Sequence, residues 1–467
     1  MKKKREQKNS FIKKKEAEAR KISIKEGSIA TIQTGLGDTY IAPYALALNA
    51  SNFEISMLSS IPSLLGPLSQ KFGSRLIEKY SRKKVLLIAV LFQALIWLPI
   101  ISLAFLQWKG ILTSSLSILL VIFFSVYAIF GNLGGPAWFS WMGDIVNERK
   151  RGKFFSLRNR ITGAIALLCT LGSSFLLDFF KQNNFVLFGF SIFFFIAMTA
   201  RLISRELLKK QYEPKLELEK GYYFSFWQFM KKAPKNNFGK FSIYVALIKM
   251  AASIAGPFFV VYMLRDLGFS YVTFILVFIS EAVGGLIMMP ILGKFSDKHG
   301  NYKLMSITSI VIALFPALWL LSESPFYLAL VPQLIVGIAW AGFNLAAGNF
   351  IYDSVTPQKR GLAVSYYNIL GGIGIFLGAT IGGIIAKYVH INFMNIILFI
   401  FLISAVARAL VNLIMLPKIG EIRKVKKFNS ARALKNLVLK TIRIPIIPHQ
   451  AMFEFFAKKR FKESSPK

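Results

Sequence analysis

Long apolar stretches alternate with short polar gaps along most of this chain. A bilayer core of about 30 Å requires about 20 apolar residues per helix, and twelve stretches reach that length. They lie at about 28–48, 54–75, 84–107, 112–142, 156–180, 185–207, 241–264, 270–292, 303–322, 325–352, 361–386 and 392–416. The stretches lack the strict alternation of barrel strands, so they predict an all-α integral membrane protein with twelve transmembrane helices.

Basic residues in the gaps predict the orientation of these helices. Lysine and arginine gather after the second, fourth, eighth and tenth stretches, whereas the other gaps carry few bases. Because basic loops usually stay on the cytoplasmic side, we expect both termini to be cytoplasmic in a multi-pass protein of the cell membrane.

The chain repeats itself at a constant offset of 209 residues. The segment "DIVNERKRGKFFSLRN" from Asp144 and the segment "DSVTPQKRGLAVSYYN" from Asp353 share seven of sixteen residues. This predicts two pseudo-symmetric six-helix halves. The expected division is a basic N-terminal tail at 1–27, halves at 28–207 and 241–416, a basic linker at 208–240 and a basic C-terminal tail at 417–467.

The composition narrows the class of protein and of partner. The chain is 54% hydrophobic, with mean hydropathy +0.52 and net charge +36. The bases avoid the apolar stretches, which argues against nucleic acid and suggests that tails and linker contact anionic membrane lipids. Cys169 is the single cysteine, three histidines stand apart and no phosphate-binding loop occurs, so we expect no metal, no cofactor and no enzymatic activity.

A short motif separates the eighth and ninth stretches. Gly293, Asp297, Lys298 and Gly300 fit the pattern Gly-x-x-x-Asp-Arg/Lys-x-Gly. With the repeat and the topology, this motif resembles the major facilitator superfamily over residues 28–416. The copy between the second and third stretches departs from the pattern, with Ser74, Glu78, Lys79 and Ser81 in place of Gly, Asp, Arg and Gly.

The resemblance implies a gate on the cytoplasmic side. In the superfamily, contacts at this motif hold the two halves together in one state and break in another. By analogy we expect Asp297 to work with Arg360, and Glu78 with Arg151, in two networks. The alternative is an ordinary basic loop with solvated charges.

Three ionisable residues lie deep within the stretches, where a charge is costly and therefore usually has a function. Asp38 follows Thr31 and Thr34 at helical spacing, and Lys249 and Glu281 lie in the seventh and eighth stretches. We expect these residues to serve substrate binding or proton coupling, since the resemblance implies that helices 1 and 7 face a central cavity. Structural hydrogen bonds, or an ion pair between Lys249 and Glu281, remain the alternatives.

Other residues in the stretches have less specific signals. The fourth and tenth stretches contain amides and tryptophans suited to a cavity wall, namely Asn132, Trp138, Trp340 and Asn344, although such residues also serve helix packing. Arg201 and Arg408 lie near helix ends, where snorkelling to the membrane surface is expected.

The expected function is secondary active transport of a small or medium solute, with a proton or another ion as the coupling partner. A membrane enzyme acting on lipid-linked substrates, or a non-transporting receptor or scaffold of the same fold, are the alternatives.

Overall fold

The computed structural model describes residues 2–146, 151–214, 225–423 and 425, without the side chains of 2–10, 12, 13, 78, 151–153, 156 and 357–361. The regular structure in these ranges is helical. The first half contains helix 1 (Lys2–Leu36, then a 3-10 turn Asp38–Tyr40 and Ile41–Ala47), helix 2 (Asn52–Lys79), helix 3 (Arg82–Leu95 and Trp97–Trp108), helix 4 (Leu116–Leu133 and Gly135–Ile145), helix 5 (Arg151–Gln182) and helix 6 (Val186–Lys210).

The second half follows a short linker helix, Phe226–Lys232. It contains helix 7 (Asn237–Ala255 and Phe258–Val261, ending in a π turn Tyr262–Asp266), helix 8 (Tyr271–His299), helix 9 (Asn301–Leu318), helix 10 (Pro325–Leu328, a π turn Ala329–Gln333 and Leu334–Ser354), helix 11 (Pro357–Tyr388) and helix 12 (Ile396–Met415). Helices 3 to 12 are each long and apolar enough to cross a membrane. Helices 1 and 2 are less apolar, since helix 1 carries many charged residues before position 28 and helix 2 contains several serines.

Side-chain caps explain where several helices begin. Ser51 and Glu54 form a reciprocal capping box at the start of helix 2. Helix 3 begins after Ser81, whose hydroxyl accepts the backbone N–H of Lys84. Helix 9 instead begins after Gly300, whose φ of +91° is one that side-chain-bearing residues rarely adopt. The predicted motif glycine therefore forms the sharp turn between helices 8 and 9.

Helix 1 begins much earlier than the predicted start of the first half. It runs without a break from Lys2 through the segment expected to be a tail. Ala19, Ser23 and Glu26 are buried, and Arg20 donates to the carbonyl of Ile145 at 2.9 Å. These buried residues are spaced three or four positions apart, so they lie on one packed face of the helix. The lysines between them made the segment resemble a solvated tail in the sequence. The predicted boundary at residue 28 therefore does not coincide with a structural break.

Two faces of the molecule are distinguished below. The basic face carries the loops after helices 2, 4, 8 and 10 and the segments after helices 6 and 12, and the distal face carries the loops at 48–51, 109–115, 183–185, 267–270, 319–324 and 389–395. A continuous apolar core joins both halves towards the distal face. Towards the basic face, separate apolar clusters lie within the first half and within the second half.

Helices 2 and 11 form the main seam between the halves. The Ser60 hydroxyl donates to the carbonyl of Phe376 at 3.0 Å and lies 2.8 Å from the Thr380 hydroxyl. A Cβ atom on Gly372 would come within 2.5 Å of the Ser63 carbonyl oxygen. The seam therefore depends on small residues, which allow two helix backbones to approach closely where lipid offers no hydrophobic drive.

At the distal face, a carboxylate of one half caps a helix of the other half. Asp178 at the end of helix 5 accepts the backbone N–H groups of Tyr271 at 2.7 Å and Val272 at 2.9 Å, the first two residues of helix 8. Nearby, Arg265 donates to the Asn52 side chain at 2.7 Å. A negative charge at a helix N-terminus is favourable, so Asp178 stabilises contact between the halves at this face.

We expect Asp178→Ala to separate the halves at the distal face. Losing a charge-assisted hydrogen bond costs about 2 kcal/mol, which changes a two-state population about thirtyfold. Spin labels at the exposed positions Asn184 and Asn392, placed in a Cys169→Ser background, should report a longer distance distribution in this variant. Glu54→Gln, which alters a cap within the first half alone, is the control. An unchanged distribution in Asp178→Ala would mean that the cap does not hold this face together.

Candidate functional site

Asp38 lies where helix 1 changes from α-helix to a 3-10 turn. Its carboxylate accepts the Tyr127 hydroxyl of helix 4 at 2.5 Å, and that hydroxyl in turn accepts the amide of Gln33. The regular α-helix ends before Gly37, and this break brings Asp38 to its position. Asp38 therefore does not continue the polar stripe of Thr31 and Thr34 along a regular helix. The structure therefore gives Asp38 a polar partner on another helix within the first half, and sequence reasoning missed both Tyr127 and Gln33.

Lys249 and Glu281 occupy separate places in the second half. The Lys249 ammonium lies 5.3 Å from the centre of the Tyr367 ring and packs against Gly371 of helix 11. The backbone of Glu281 packs closely against Gly337 of helix 10. Among the described residues, no carboxylate comes within 4.0 Å of Lys249, so the ion pair with Glu281 considered as an alternative is not formed here.

The four predicted cavity residues have different surroundings. The Asn132 carbonyl accepts the Gln70 amide at 3.0 Å, which joins helices 4 and 2. Trp138 lies beneath the Arg158 guanidinium, whose carbon is 4.9 Å from the ring centre. Trp340 packs edge-on against Phe343, and Asn344 is exposed. Asn132 thus takes part in helix packing, which was the alternative interpretation.

The predicted gate residues are described only in part. The side chains of Glu78, Arg151 and Arg360 lie outside the described residues. Asp297 is 80% exposed, and its carboxylate is 3.9 Å from Arg423, in the segment after helix 12. The pairing of Asp297 with Arg360 and of Glu78 with Arg151 stays a prediction.

A second set of charges at the basic face was not predicted as a site. In the first half, the fully buried Arg82 pairs with Asp144 at 2.5 Å, and Glu213 accepts the backbone N–H of Lys83 at 3.2 Å. Asp144 is itself 44% exposed. These contacts tie the end of helix 4 and the segment after helix 6 to the start of helix 3.

The second half repeats this arrangement with different residues. Asp353 accepts the side chains of Asn301 and Arg423, each at 2.7 Å, and Glu421 accepts the backbone N–H of Tyr302 at 2.8 Å. Asp144 and Asp353 are the pair that the repeat identified. Glu213 and Glu421 occupy equivalent positions as well, but their short flanking segments share too few residues to reveal it.

The two arginines expected to snorkel do not reach the surface. Arg201 donates to the Gln93 side chain at 3.0 Å, and Arg408 is buried and donates to the carbonyls of Ile312 at 2.8 Å and Ala252 at 3.2 Å. The snorkelling prediction is therefore wrong: these guanidinium groups donate to acceptors inside the protein.

Comparison with known proteins identifies the family. A model described as the Major Facilitator Superfamily matches residues 28–248 and again residues 241–460. The chain belongs to the major facilitator superfamily. The two matches correspond to the two repeats, and the predicted twelve-helix fold with pseudo-symmetric halves is confirmed.

Individual relatives agree at low identity. An uncharacterized transporter of this type from Methanocaldococcus jannaschii is 24% identical over 373 residues, covering 78% of this chain and 91% of the relative. The riboflavin transporter RibZ of Clostridioides difficile is 31% identical over 97 residues, which cover 20% of this chain and 21% of that protein. The facilitated glucose transporter member 10 of Danio rerio is 26% identical over 157 residues, covering 32% of this chain and 29% of the relative. The chain thus spans less than a third of these last two relatives.

Solved structures share the fold. The nucleoside transporter NupG superposes with a TM-score of 0.63 at 14% identity, covering 85% of this chain and 98% of that chain. A bacterial homologue of the iron transporter ferroportin in an inward-facing state gives 0.64 at 14% identity, with 86% and 98% covered. At this identity the solved structures support the fold.

We expect Asp144→Asn to lower the thermal stability of the purified protein. The change removes the nearer of the two anionic partners of buried Arg82 and leaves Glu213 at 3.7 Å, so the loss is about 1–3 kcal/mol once the partial exposure of Asp144 is taken into account. The unfolding midpoint in detergent should fall, and it should fall similarly for Asp353→Asn in the second half. Glu206→Gln, which breaks an exposed contact with Lys209, is the control. Equal midpoints for Asp144→Asn and this control would contradict the prediction.

Proposed function

We propose that this chain is a secondary active transporter that moves a small or medium-sized solute by alternating access. The observation that carries the proposal is the uneven packing of the two halves. One large apolar core joins them towards the distal face, whereas towards the basic face each half has its own core and a small cluster around Tyr366 also contacts Leu68 of the first half. Such an arrangement suits a solute path that opens at the basic face and closes at the distal face, and rocking of the halves would reverse it.

The break in helix 1 supports a coupling role for Asp38. Its carboxylate lies within the apolar interior and accepts the hydroxyl of Tyr127 from helix 4. A carboxylate in such a place changes its proton affinity strongly when its surroundings change. We propose that Asp38 takes up and releases a proton as the halves move, and that Lys249 and Glu281 contribute to the solute path from the second half.

The basic face supports an orientation. We propose that it lies in the cytoplasm, because positively charged loops are retained there, and that the chain resides in the cell membrane. The basic tails and linker would then contact anionic lipids of the inner leaflet.

The proposed domain division keeps a linker between the halves, with the first half extended to include the packed residues before position 28.

Flux of a solute into proteoliposomes distinguishes transport from the two alternatives. The names of the relatives suggest sugars, nucleosides, riboflavin and betaines as the first solutes to screen, by the rise in unfolding temperature that binding produces. A solute that binds but never crosses the bilayer would favour a receptor. Chemical conversion of a lipid-linked compound would favour an enzyme. Either result would contradict the proposal.

We expect Asp38→Asn to transport with a rate that no longer depends on pH. The amide keeps the size of the carboxylate and can still contact Tyr127, so folding and solute binding should persist while the titrating group is lost. The measurement is initial flux in proteoliposomes between about pH 5 and pH 8, the range in which a buried carboxylate would titrate. Asp144→Asn is the control, since Asp144 lies at the basic face. Wild-type pH dependence in Asp38→Asn would assign Asp38 a structural role.

We expect Asp297→Asn to lower transport without lowering thermal stability. In this structure the Asp297 carboxylate is exposed and only 3.9 Å from Arg423, so its removal should cost little in this state. If Asp297 pairs with Arg360 when the path is closed at the basic face, loss of the Asp297 charge destabilises that closed state. The variant should then favour the state seen here. The measurements are flux and the labelling rate of a cysteine at the exposed position Lys298, compared with the matched variant Asp266→Asn at the distal face. Unchanged flux and labelling would remove Asp297 from the gate.

A further inference from the structure

A cavity of about 290 Å³ lies within the first half. Helices 1, 3, 4, 5 and 6 line it, and among the described residues its lining comes from the first half. The proposed coupling residues Asp38, Lys249 and Glu281 are not among its lining residues. The cavity therefore lies inside the first half, and its charged lining residues are Glu26, Arg158 and Arg201.

These three charged groups leave an excess of one positive charge. The Glu26 carboxylate is 3.4 Å from Arg158 and 3.9 Å from Arg201, longer than the 2.7–2.9 Å typical of strong charge-assisted hydrogen bonds. Its stronger contact is with the Ser204 hydroxyl, at 2.8 Å. The side chains of Glu26, Arg158 and Arg201 are only 5%, 14% and 17% exposed. In the cavity wall one carboxylate thus faces two buried guanidinium groups, and Asp38, behind the wall, also interacts electrostatically with Arg201.

Neutral acceptors hold both guanidinium groups in place. The Nε of Arg201 donates to the Gln93 side chain at 3.0 Å, and the Nε of Arg158 donates to the carbonyl of Ser23 at 3.3 Å. Nη1 of Arg158 and Nη2 of Arg201 have no hydrogen-bond acceptor within the described ranges. Fixed guanidinium groups with unused donors are well suited to a carboxylate or a phosphate, whose oxygens can accept from both.

The remaining walls are apolar and aromatic. Trp138 lies against the Arg158 guanidinium, and Ala30, Leu86, Val90 and Leu208 complete the lining. Room for a ligand comes from Gly135 of helix 4. A Cβ atom at Gly135 would meet no atom within 4 Å, whereas one at Gly134 would meet the Leu86 side chain at 2.8 Å. The volume is at the lower end of the range for ligand sites, about 300–1,000 Å³, so a ligand here must be small.

We propose that this cavity binds a small organic anion with a planar apolar body, of the aromatic carboxylate class. Its carboxylate lies between Arg158 and Arg201, and its ring lies against Trp138 and the aliphatic wall. The proposal does not depend on transport, because binding can be measured on the purified protein whether or not a solute crosses the membrane.

The test measures binding of benzoate to the full chain in detergent by calorimetry. Benzamide, which has the same ring and no charge, is the first control, and inorganic phosphate tests whether charge alone suffices. We expect saturable binding of benzoate, with benzamide and phosphate each weaker by at least about tenfold. Equal binding of benzoate and benzamide would overturn the anion site. Binding of phosphate without benzoate would overturn the apolar part of the proposal.

Two variants place the ligand in this cavity. Arg201→Gln removes one guanidinium group and should weaken benzoate binding by about tenfold or more, whereas Arg205→Gln, one helical turn away on helix 6, should not. Gly135→Leu fills the cavity, leaves the charges in place and should abolish binding. Gly163→Leu on helix 5, where a Cβ atom also meets nothing within 4 Å, is its control. Wild-type affinity in Gly135→Leu would show that benzoate binds elsewhere and would contradict the proposal even if Arg201→Gln fails to fold.

Discussion

A charged side chain within the membrane needs a partner that the protein itself supplies, and this requirement governs much of the structure. Water and lipid headgroups cannot reach the interior, and an unpaired charge there costs several kcal/mol or more. Arg82, Arg158, Arg201 and Arg408 each contact a carboxylate, an amide or a backbone carbonyl on another helix. The helices are therefore positioned by these contacts as well as by apolar packing.

The two halves meet this requirement differently. In the first half Arg201 donates to Gln93 and lies farther from Glu26. In the second half Arg408 occupies the corresponding place near the end of helix 12. It donates to two backbone carbonyls and lies over the face of Phe315. In the first half the carboxylate and the second arginine line a cavity. The two halves therefore share their helices but differ in the acceptors that hold this arginine.

Hydrophobicity predicted the helices well because each span must be apolar along its own length, and the sequence contains that information locally. The partners of the deep charges depend on contacts between residues far apart in sequence. Tyr127 is 89 residues from Asp38, and Asp144 is 62 residues from Arg82. A single sequence cannot rank such pairs. The packed part of helix 1 before residue 28 was also missed. When hydropathy is averaged along the sequence, its lysines conceal the buried face of Ala19, Ser23 and Glu26.

The segments after helices 6 and 12 bear on the order in which the chain is completed during synthesis. Glu213 and Glu421 each bind the start of a helix that was made earlier, at Lys83 in helix 3, 130 residues before, and at Tyr302 in helix 9, 119 residues before. Domains generally fold as units, the N-terminal one first, as the ribosome releases them. Each half therefore remains incomplete at its basic face until the residues just beyond its last helix emerge. A ribosome pause within the linker would allow the first half to finish folding before the second half enters the membrane.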